Sequence, residues 1–343
     1  MNRYDFPKVQ LHCHLDGAIL PSTLLEMAKE RGVELPGGAS TVEELTPYVV
    51  YDASCCSVNT FLEKFELPTT ILQDAAALER SAYELVLRLW EENHIYADIR
   101  FAPQIHCRKG MSQAEAVEAV RAGIDRALAV TNNEIKIGLV VFCMCFGHAD
   151  VNHDANVETA RLAVEYHDRG IVQAMDLAGA EGLCPLIEFA DLFEIARDGG
   201  CPFTCHAGDS HPASEVRTAI EVFKSPRLGH GHHIFQDLSL CEEAKELGVT
   251  LEVCPTSNVQ CLTEPSYEEH PIKKLFDMGV RVTISTDNPV ISGVCVEDEY
   301  DHMVSSLGFT REDLIRTNIY AAEAAFLPDE EKRELVGKLE AYL

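Results

Sequence analysis

The 343-residue chain has 56 acidic and 28 basic side chains, and its formal net charge of −28 argues against a nucleic acid or an anionic membrane as its partner. A hydrophobic fraction of 46% and a charged fraction of 24% are typical of a soluble globular protein. The N-terminus has no apolar signal core, and the longest apolar run is too short to span a bilayer. We therefore expect a cytoplasmic protein whose cysteines are mostly buried thiols.

The stretch QLHCHLDG over residues 10–17 alternates apolar and polar side chains, which is the pattern of a half-buried strand. This alternation places His12 and His14 on the same face, and Gly17 ends the strand shortly after them. Two imidazoles that converge from one strand end can form half of a divalent metal site. Histidines in such a motif also occur as hydrogen-bonded core residues, so the rest of the chain must supply the other ligands.

The chain that follows is longer than a connection between two strands requires. The sequence predicts a helix that begins at a capping box at Thr23 and ends at Gly32, and then an irregular stretch over 36–60. An apolar helical segment over 57–73 and a long helix over 74–93 come next. Part of this insertion could cover an active site as a lid, or it could simply pack on the fold, and the sequence leaves both open.

Strand-like apolar runs then alternate with helical patterns. The runs cover residues 94–103, 135–143, 172–179, 202–208, 227–231, 250–258 and 281–289. The helical patterns between them cover residues 112–130, 154–169, 185–198, 212–224 and 239–247. With the first strand this makes eight strands, which predicts an α/β fold, a (β/α)8 TIM barrel with extra helices inserted after the first strand.

A doubly wound sheet is the alternative fold. Neither GxGxxG nor GxxxxGK[ST] follows any predicted strand, so its usual nucleotide-binding motifs are missing. The helical, charged tail over 310–343 contains no linker that would separate a second domain. We therefore expect residues 1–343 to form one domain.

Polar side chains that are costly to bury collect at the predicted C-terminal strand ends. They are His12, His14, Asp16, His206, Asp209, His230, Asp287 and Asn288. In a TIM barrel all strand ends of this kind open on one face, where active sites lie. Their convergence is a stronger signal than any one of the motifs.

The residue types in this set are those of a catalytic zinc site. Three neutral imidazoles and one carboxylate would hold one Zn²⁺ and leave a position for water. These donors are His12, His14, His206 and Asp287. His230 and Asp209 are then available for proton transfer. Most of the remaining histidines, His270 among them, are interpreted as surface or packing residues.

The motifs HCHLDG, DLAG, HAG followed by an acid, GHG, EVCPTSN and STDN occur in this order over nearly the whole chain. In this respect the chain resembles the adenosine/AMP deaminase family of metal-dependent amidohydrolases. The resemblance implies a TIM barrel, one zinc ion, and hydrolytic replacement of the purine 6-amino group by oxygen. It also implies a small-molecule purine nucleoside as the partner and gives no oligomeric state.

The same resemblance implies roles for individual residues. His230 would hold or deprotonate the attacking water, and Asp209, the acid after HAG, would protonate purine N1. Gly179 would offer its backbone N–H to N3, and Asn288 would contact N7. Asp16 would meet the ribose 5′-hydroxyl, where related adenine deaminases carry Glu. A carboxylate there would also repel a 5′-phosphate.

Two positions differ from the pattern of the family. Asp209 stands where Glu is usual, and Asn288 stands where a second Asp is usual. The expected reaction is deamination of adenosine, and of 2′-deoxyadenosine, to inosine and ammonia in purine salvage. The alternatives are another 6-substituted purine or modified nucleoside, such as adenine or an N6-methyl purine, and a non-catalytic relative that binds zinc and purine.

Overall fold

A closed barrel of eight parallel strands forms the centre of the protein, for which a computed structural model describes residues 2–51 and 63–343. The strands are β1 Lys8–His14, β2 His94–Phe101, β3 Lys136–Cys145, β4 Ala174–Gly179, β5 Cys205–Ala207, β6 Arg227–His230, β7 Thr250–Val253 and β8 Arg281–Ile284. They pair in sequence order as two four-stranded parallel sheets, β1 to β4 and β5 to β8. Bridges from Met175 to Phe203 and from Cys13 to Asp287 join the two sheets. The predicted TIM barrel is confirmed.

Helices surround the barrel and connect its strands. Among the described residues, four lie between β1 and β2: α1 Pro21–Arg31, α2 Val42–Val49, α3 Glu66–Ile71 and α4 Ala75–Glu91. The next five are α5 Gln113–Val130, α6 His153–Asp168, α7 Ala190–Asp198, α8 Ala213–Arg217 and α9 Leu238–Leu247. The last five are α10 Pro255–Gln260, α11 Ile272–Asp277, α12 Val296–Leu307, α13 Arg311–Ala324 and α14 Asp329–Glu340. Among the described residues, no helix is long and apolar enough to cross a bilayer.

The start of α1 differs from the prediction. The helix begins at Pro21, whose fixed φ suits the first helical position, and not at a capping box at Thr23. The Thr23 hydroxyl instead donates a hydrogen bond to Glu84 on α4, at 2.6 Å, and so ties the two helices together. The predicted end at Gly32 is confirmed, with this residue in the left-handed conformation at φ 63°.

The insertion after β1 is more regular than predicted. Helix α2 lies within the stretch 36–60 that was expected to be irregular, and the Thr41 side chain caps it by accepting from the Glu44 N–H. Of the predicted helical segment 57–73, residues 57–62 lie outside the described part of the chain, and α3 occupies much of the remainder. The strand predicted over 250–258 is also shorter, because α10 begins at a proline directly after β7.

A buried carboxyl group on α12 supports the short helix α10. Glu299 is 0% exposed, and its side chain accepts the Thr256 N–H at 3.2 Å. This contact fixes the first turn of α10, the helix that carries Ser257 and Asn258. Burial raises the pKa of Glu299 to about 8.

We therefore expect Glu299 to make stability depend on pH. In the folded protein the Glu299 carboxyl group keeps its proton. In the unfolded chain it releases this proton near the unperturbed Glu pKa of about 4.3. Stability should then be highest below that pH and fall as the pH rises toward about 8. Glu299→Gln keeps the acceptor for Thr256 and should remove this loss, on the order of 5 kcal/mol.

Thermal unfolding of parent and variant between acidic and alkaline pH measures the effect. The two midpoints should agree at the acidic end and diverge at the alkaline end, with the variant more stable. Glu312→Gln, an exposed position on α13, is the matched control and should follow the parent. Identical pH slopes for all three proteins would contradict a buried, protonated Glu299.

Candidate active site

Four side chains predicted as metal ligands lie together at the C-terminal ends of the strands. His12 and His14 come from β1 and His206 from β5, and one donor atom of each lies within 4.8 Å of the others. The two Nε2 atoms of His12 and His14 are 3.2 Å apart. The Asp287 Oδ1 atom, just beyond β8, is 3.4 Å from each of these nitrogens.

These spacings fit a zinc ion. A tetrahedral ion with bonds of about 2.0 Å separates its ligand atoms by about 3.3 Å. Two imidazole nitrogens and a carboxylate oxygen at mutual distances of 3.2 to 3.4 Å match that value. The donor set of imidazoles and one carboxylate is also the kind that zinc prefers.

Carboxylates behind two of the histidines fix which ring nitrogen carries the proton. His12 Nδ1 lies 3.0 Å from Glu252, and His206 Nδ1 lies 3.0 Å from Asp176. An ionised carboxylate can only accept, so each Nδ1 must donate its proton to it. The Nε2 lone pairs of both rings are therefore left free for a metal.

The two supporting carboxylates remain ionised although they are fully buried. Burial opposes the charge of Glu252, but Arg100 and Arg227 hold its pKa well below the usual value. Burial likewise opposes the charge of Asp176, and His206 and Arg100 lower its pKa. The Arg100 guanidinium lies 2.7 Å from Asp176 and 2.6 Å from Glu252, so it bridges them.

We did not identify these supporting residues from the sequence. Each is a charged residue inside an apolar strand, with Arg100 in β2, Asp176 in β4 and Glu252 in β7. Their placement could have identified them, because a charged side chain inside a buried strand requires a partner.

The backbone holds Asp287 directly against β1. Its carbonyl accepts the His14 N–H at 2.7 Å, and its N–H donates to the His12 carbonyl at 3.1 Å. The Ser257 hydroxyl donates to the other carboxylate oxygen at 2.7 Å. Asp287 has φ 57° and His230 has φ 59°, left-handed conformations that are costly for residues other than glycine. Such strain concentrates at functional positions.

A cavity of about 300 Å³ opens in front of the metal donors. All the residues predicted to act on the substrate line it: Asp16, Gly179, Asp209, His230 and Asn288. Its apolar lining consists of Phe65, Ile105, Phe142, Met144 and Phe146. A cavity lined by both apolar and polar side chains suits a heterocycle that carries hydrogen-bonding groups.

Two residues that line this cavity each have one polar atom without a hydrogen-bond partner in the described structure. Asp16 Oδ1 and Asn288 Oδ1 are buried and make no hydrogen bond. Burial raises the pKa of Asp16 to about 6. An unpartnered buried polar atom is costly, so the Asp16 position fits a ligand that donates a hydrogen bond to Oδ1.

Gly179 is required by space and by conformation. Its φ is 125°, and an added Cβ would lie 2.5 Å from the Cys145 carbonyl oxygen. Any other residue here would push β4 away from β3. The strand end beside the cavity can therefore present only backbone at this point.

The loop that carries Asp209 is anchored by a carboxylate that we did not identify from the sequence. Glu181 accepts the N–H groups of Gly208 at 2.7 Å, Asp209 at 2.8 Å and His211 at 3.1 Å, and it also accepts that of Ser210. One side chain therefore fixes four consecutive peptide groups. The position of the Asp209 backbone is determined by this clamp.

The interpretation of His270 as a surface or packing residue is incomplete. It is buried, and its Nε2 atom lies 3.1 Å from Asn258 Oδ1, beside the cavity. The lid proposed for residues 57–73 stays a prediction. From the described part of that segment, Phe65 and Thr69 line the cavity.

The supporting carboxylates give a test of the metal centre. Asp176→Asn should weaken Zn²⁺ binding by about 10- to 100-fold, because a neutral amide makes His206 a poorer ligand. Chelator competition on the metal-free protein measures this affinity. Asp98→Asn is the matched control, since Asp98 is equally buried but pairs with Arg227, at 2.8 Å, in place of a histidine. An equal loss of affinity in both variants would contradict a specific role for Asp176.

Comparison with known proteins agrees with this geometry. Residues 7–342 match the family model described as Adenosine deaminase. An adenosine deaminase from Haemophilus ducreyi is 36% identical over 335 residues, which cover 97% of this chain and 95% of that protein.

Two solved structures resemble the whole barrel. The Arabidopsis N6-mAMP deaminase is 26% identical, with a TM-score of 0.84 and coverage of 98% of both chains. A zinc-bound cog1816 amidohydrolase from Burkholderia ambifaria is 23% identical, with a TM-score of 0.86 and coverage of 98% of this chain and 90% of that one. The match of the family model over nearly all residues and the identity to a full-length relative lead to one conclusion: the chain belongs to the adenosine deaminase family and is a hydrolase of that family.

Proposed function

We propose that this protein is a zinc-dependent deaminase that converts adenosine and 2′-deoxyadenosine to inosine and ammonia, with residues 1–343 acting as one domain. The observation that carries the proposal is the convergence of four metal donors at one end of a cavity that also holds an acid and a further histidine. Adenosine deaminase relatives at 36% identity support the choice of substrate.

One zinc ion per chain would be held by His12, His14, His206 and Asp287. The spacing of their donor atoms supports this set, and the zinc bound to the Burkholderia ambifaria relative supports the choice of metal. When bound, zinc would make water a competent nucleophile near neutral pH. Burial lowers the pKa of His12 and His14, which keeps both rings neutral for coordination.

Two residues would act beside the reacting carbon of the purine. His230 would hold the attacking water in place. Asp209 would hold a proton against N1, which makes C6 electrophilic, and would later help to protonate the departing ammonia. An aspartate is one methylene, about 1.5 Å, shorter than a glutamate in this role. We propose that the Glu181 clamp on the 208–211 loop compensates for the shorter side chain.

The remaining contacts would orient a nucleoside. Gly179 would donate its backbone N–H to N3, and the Asn288 amide would donate to N7, which can only accept. The unpartnered Oδ1 atom of Asp16 would bind the 5′-hydroxyl. An acid at this point disfavours a 5′-phosphate, so a free nucleoside fits better than the nucleotide on which the Arabidopsis relative acts.

The short side chain of Asp209 supports an N6-methyl purine as the alternative substrate. A shorter acid leaves more room near C6, where an N6-methyl group would lie, so a modified purine is the second candidate. Adenine itself is a third, and a zinc- and purine-binding protein without activity is the fourth.

A substrate panel with and without metal separates these possibilities. Purified protein should contain about one zinc per chain and should turn over adenosine faster than adenine, AMP or N6-methyl purines. Removal of zinc, or His206→Ala, should abolish activity. His153→Ala, at an exposed histidine outside the cavity, is the control and should match the parent. Full activity in metal-free protein would contradict the proposal, as would an N6-methyl purine that outpaces adenosine.

The proposed role of Asp209 can be tested by removing its carboxyl group and by lengthening its side chain. Asp209→Ala should abolish turnover with zinc still bound, because the N1 proton donor is lost. Asp209→Glu should reduce kcat by about a hundredfold, since the clamped loop places the longer side chain too far into the cavity. The measurement is kcat on adenosine with zinc content determined in each variant. A glutamate variant faster than the parent would show that adenosine is not the preferred substrate.

A further inference from the structure

Asn258 lies between His230, proposed to hold the water, and Asp209, proposed to protonate the purine. It lies on α10 directly after β7, and it is 0% exposed. Its Nδ2 atom donates to Asp209 Oδ1 at 2.7 Å and lies 3.0 Å from His230 Nδ1. We infer that Asn258, with its amide oriented by His270, is a positioning residue that holds the Asp209 carboxylate and the His230 ring in fixed relation. This inference rests on the proposed function.

The hydrogen bonds of His270 determine which way the Asn258 amide points. The Ile272 N–H donates to His270 Nδ1 at 3.2 Å, so that nitrogen carries no proton. Burial lowers the pKa of His270 to about 3, so the ring is neutral and its proton is on Nε2. The Nε2–H group then donates to Asn258 Oδ1 at 3.1 Å. The amide oxygen faces His270, and the NH2 group must face the active site.

This orientation fixes the proton on His230. The Asn258 NH2 group has two hydrogens, one for Asp209 and one for His230 Nδ1. Because Nδ1 of His230 accepts, the proton of the neutral ring is on Nε2. With the opposite amide orientation, an oxygen would face the Asp209 carboxylate and repel it. The inference therefore assigns a tautomer to His230 as well as a position.

The same contacts hold one oxygen of Asp209 and leave the other for the substrate. The Thr263 hydroxyl is 3.0 Å from Asp209 Oδ1 and 3.1 Å from the Asn258 carbonyl, so it can supply a second donor to the oxygen that Asn258 already holds. The Oδ2 atom is then the one that can exchange a proton with a purine. Glu181 fixes the backbone of this loop and Asn258 fixes its side chain, which together define where a short acid must lie.

Asn258→Asp keeps the shape of the side chain but replaces the donating NH2 group with oxygen. We expect kcat on adenosine to fall by about a hundredfold, with KM and zinc content close to those of the parent. Asn318→Asp is the matched control. Asn318 is equally buried, but its amide donates to Tyr300 and Leu314 on the outer helices, so its variant should lose stability without losing kcat.

Two variants of His270 separate orientation from mere packing. His270→Gln retains an amide N–H that can donate to Asn258 Oδ1 and should keep kcat within about fivefold of the parent. His270→Leu fills a similar volume without a donor and should lose activity as Asn258→Asp does. Equal kcat values for the Gln and Leu variants, or a parent-like kcat for Asn258→Asp, would overturn the inference.

Histidine ring 15N spectra of the zinc-loaded protein give a readout that needs no substrate. His230 and His270 signals are assigned by difference from His230→Gln and His270→Gln. Both rings should carry their proton on Nε2 in the parent, and Asn258→Asp should move that of His230 to Nδ1. A parent His230 protonated on Nδ1 would overturn the inference. A parent with the expected tautomers but without purine turnover would instead contradict the proposed function.

Discussion

The structure depends on one buried guanidinium group. Arg100 lies in β2 and bridges Asp176 in β4 and Glu252 in β7, so a single side chain joins the two four-stranded sheets across the barrel interior. All three side chains are 0% exposed. Removing one partner from such a network typically costs about 3 to 5 kcal/mol, because the others stay buried and unpaired. The same carboxylates hold His12 and His206. The contacts that join the two sheets therefore also fix the geometry of the candidate metal site.

In the candidate site, each set of side chains is held in place by another set behind it. Arg100 keeps two acids ionised, the acids fix the tautomers of two histidines, and the histidines present lone pairs to a common point. A second set of contacts lies beside the first, where His270 contacts Asn258 and Asn258 contacts both Asp209 and His230. In both, hydrogen bonds from neighbouring side chains set the direction of each polar group. Preorganisation of this kind avoids reorganisation when charge develops.

The sequence was informative about polar residues at the strand ends. His12, His14, His206 and Asp287 were predicted correctly to converge, because strand alternation and the barrel rule place them on one face. Contacts between distant segments could not be predicted in this way. The Thr23 hydroxyl donates a hydrogen bond to Glu84 instead of capping its own helix. His270 contacts the Asn258 side chain, and no local sequence pattern predicts this contact. Hydrogen-bond partners of this kind follow from the packed fold, while strand periodicity is local.

The pairing of Cys13 with Asp287 has a consequence for biosynthesis. It joins the first strand to the residues after the last one, so the metal donors come from both ends of the barrel sequence. A ribosome releases His12 and His14 long before Asp287, and the emerging chain holds two neighbouring imidazoles with no carboxylate to complete them. Domains fold largely as units once their sequence is available. The complete set of candidate metal donors can therefore form only after nearly the whole polypeptide has emerged, and a product truncated before Asp287 would lack the carboxylate.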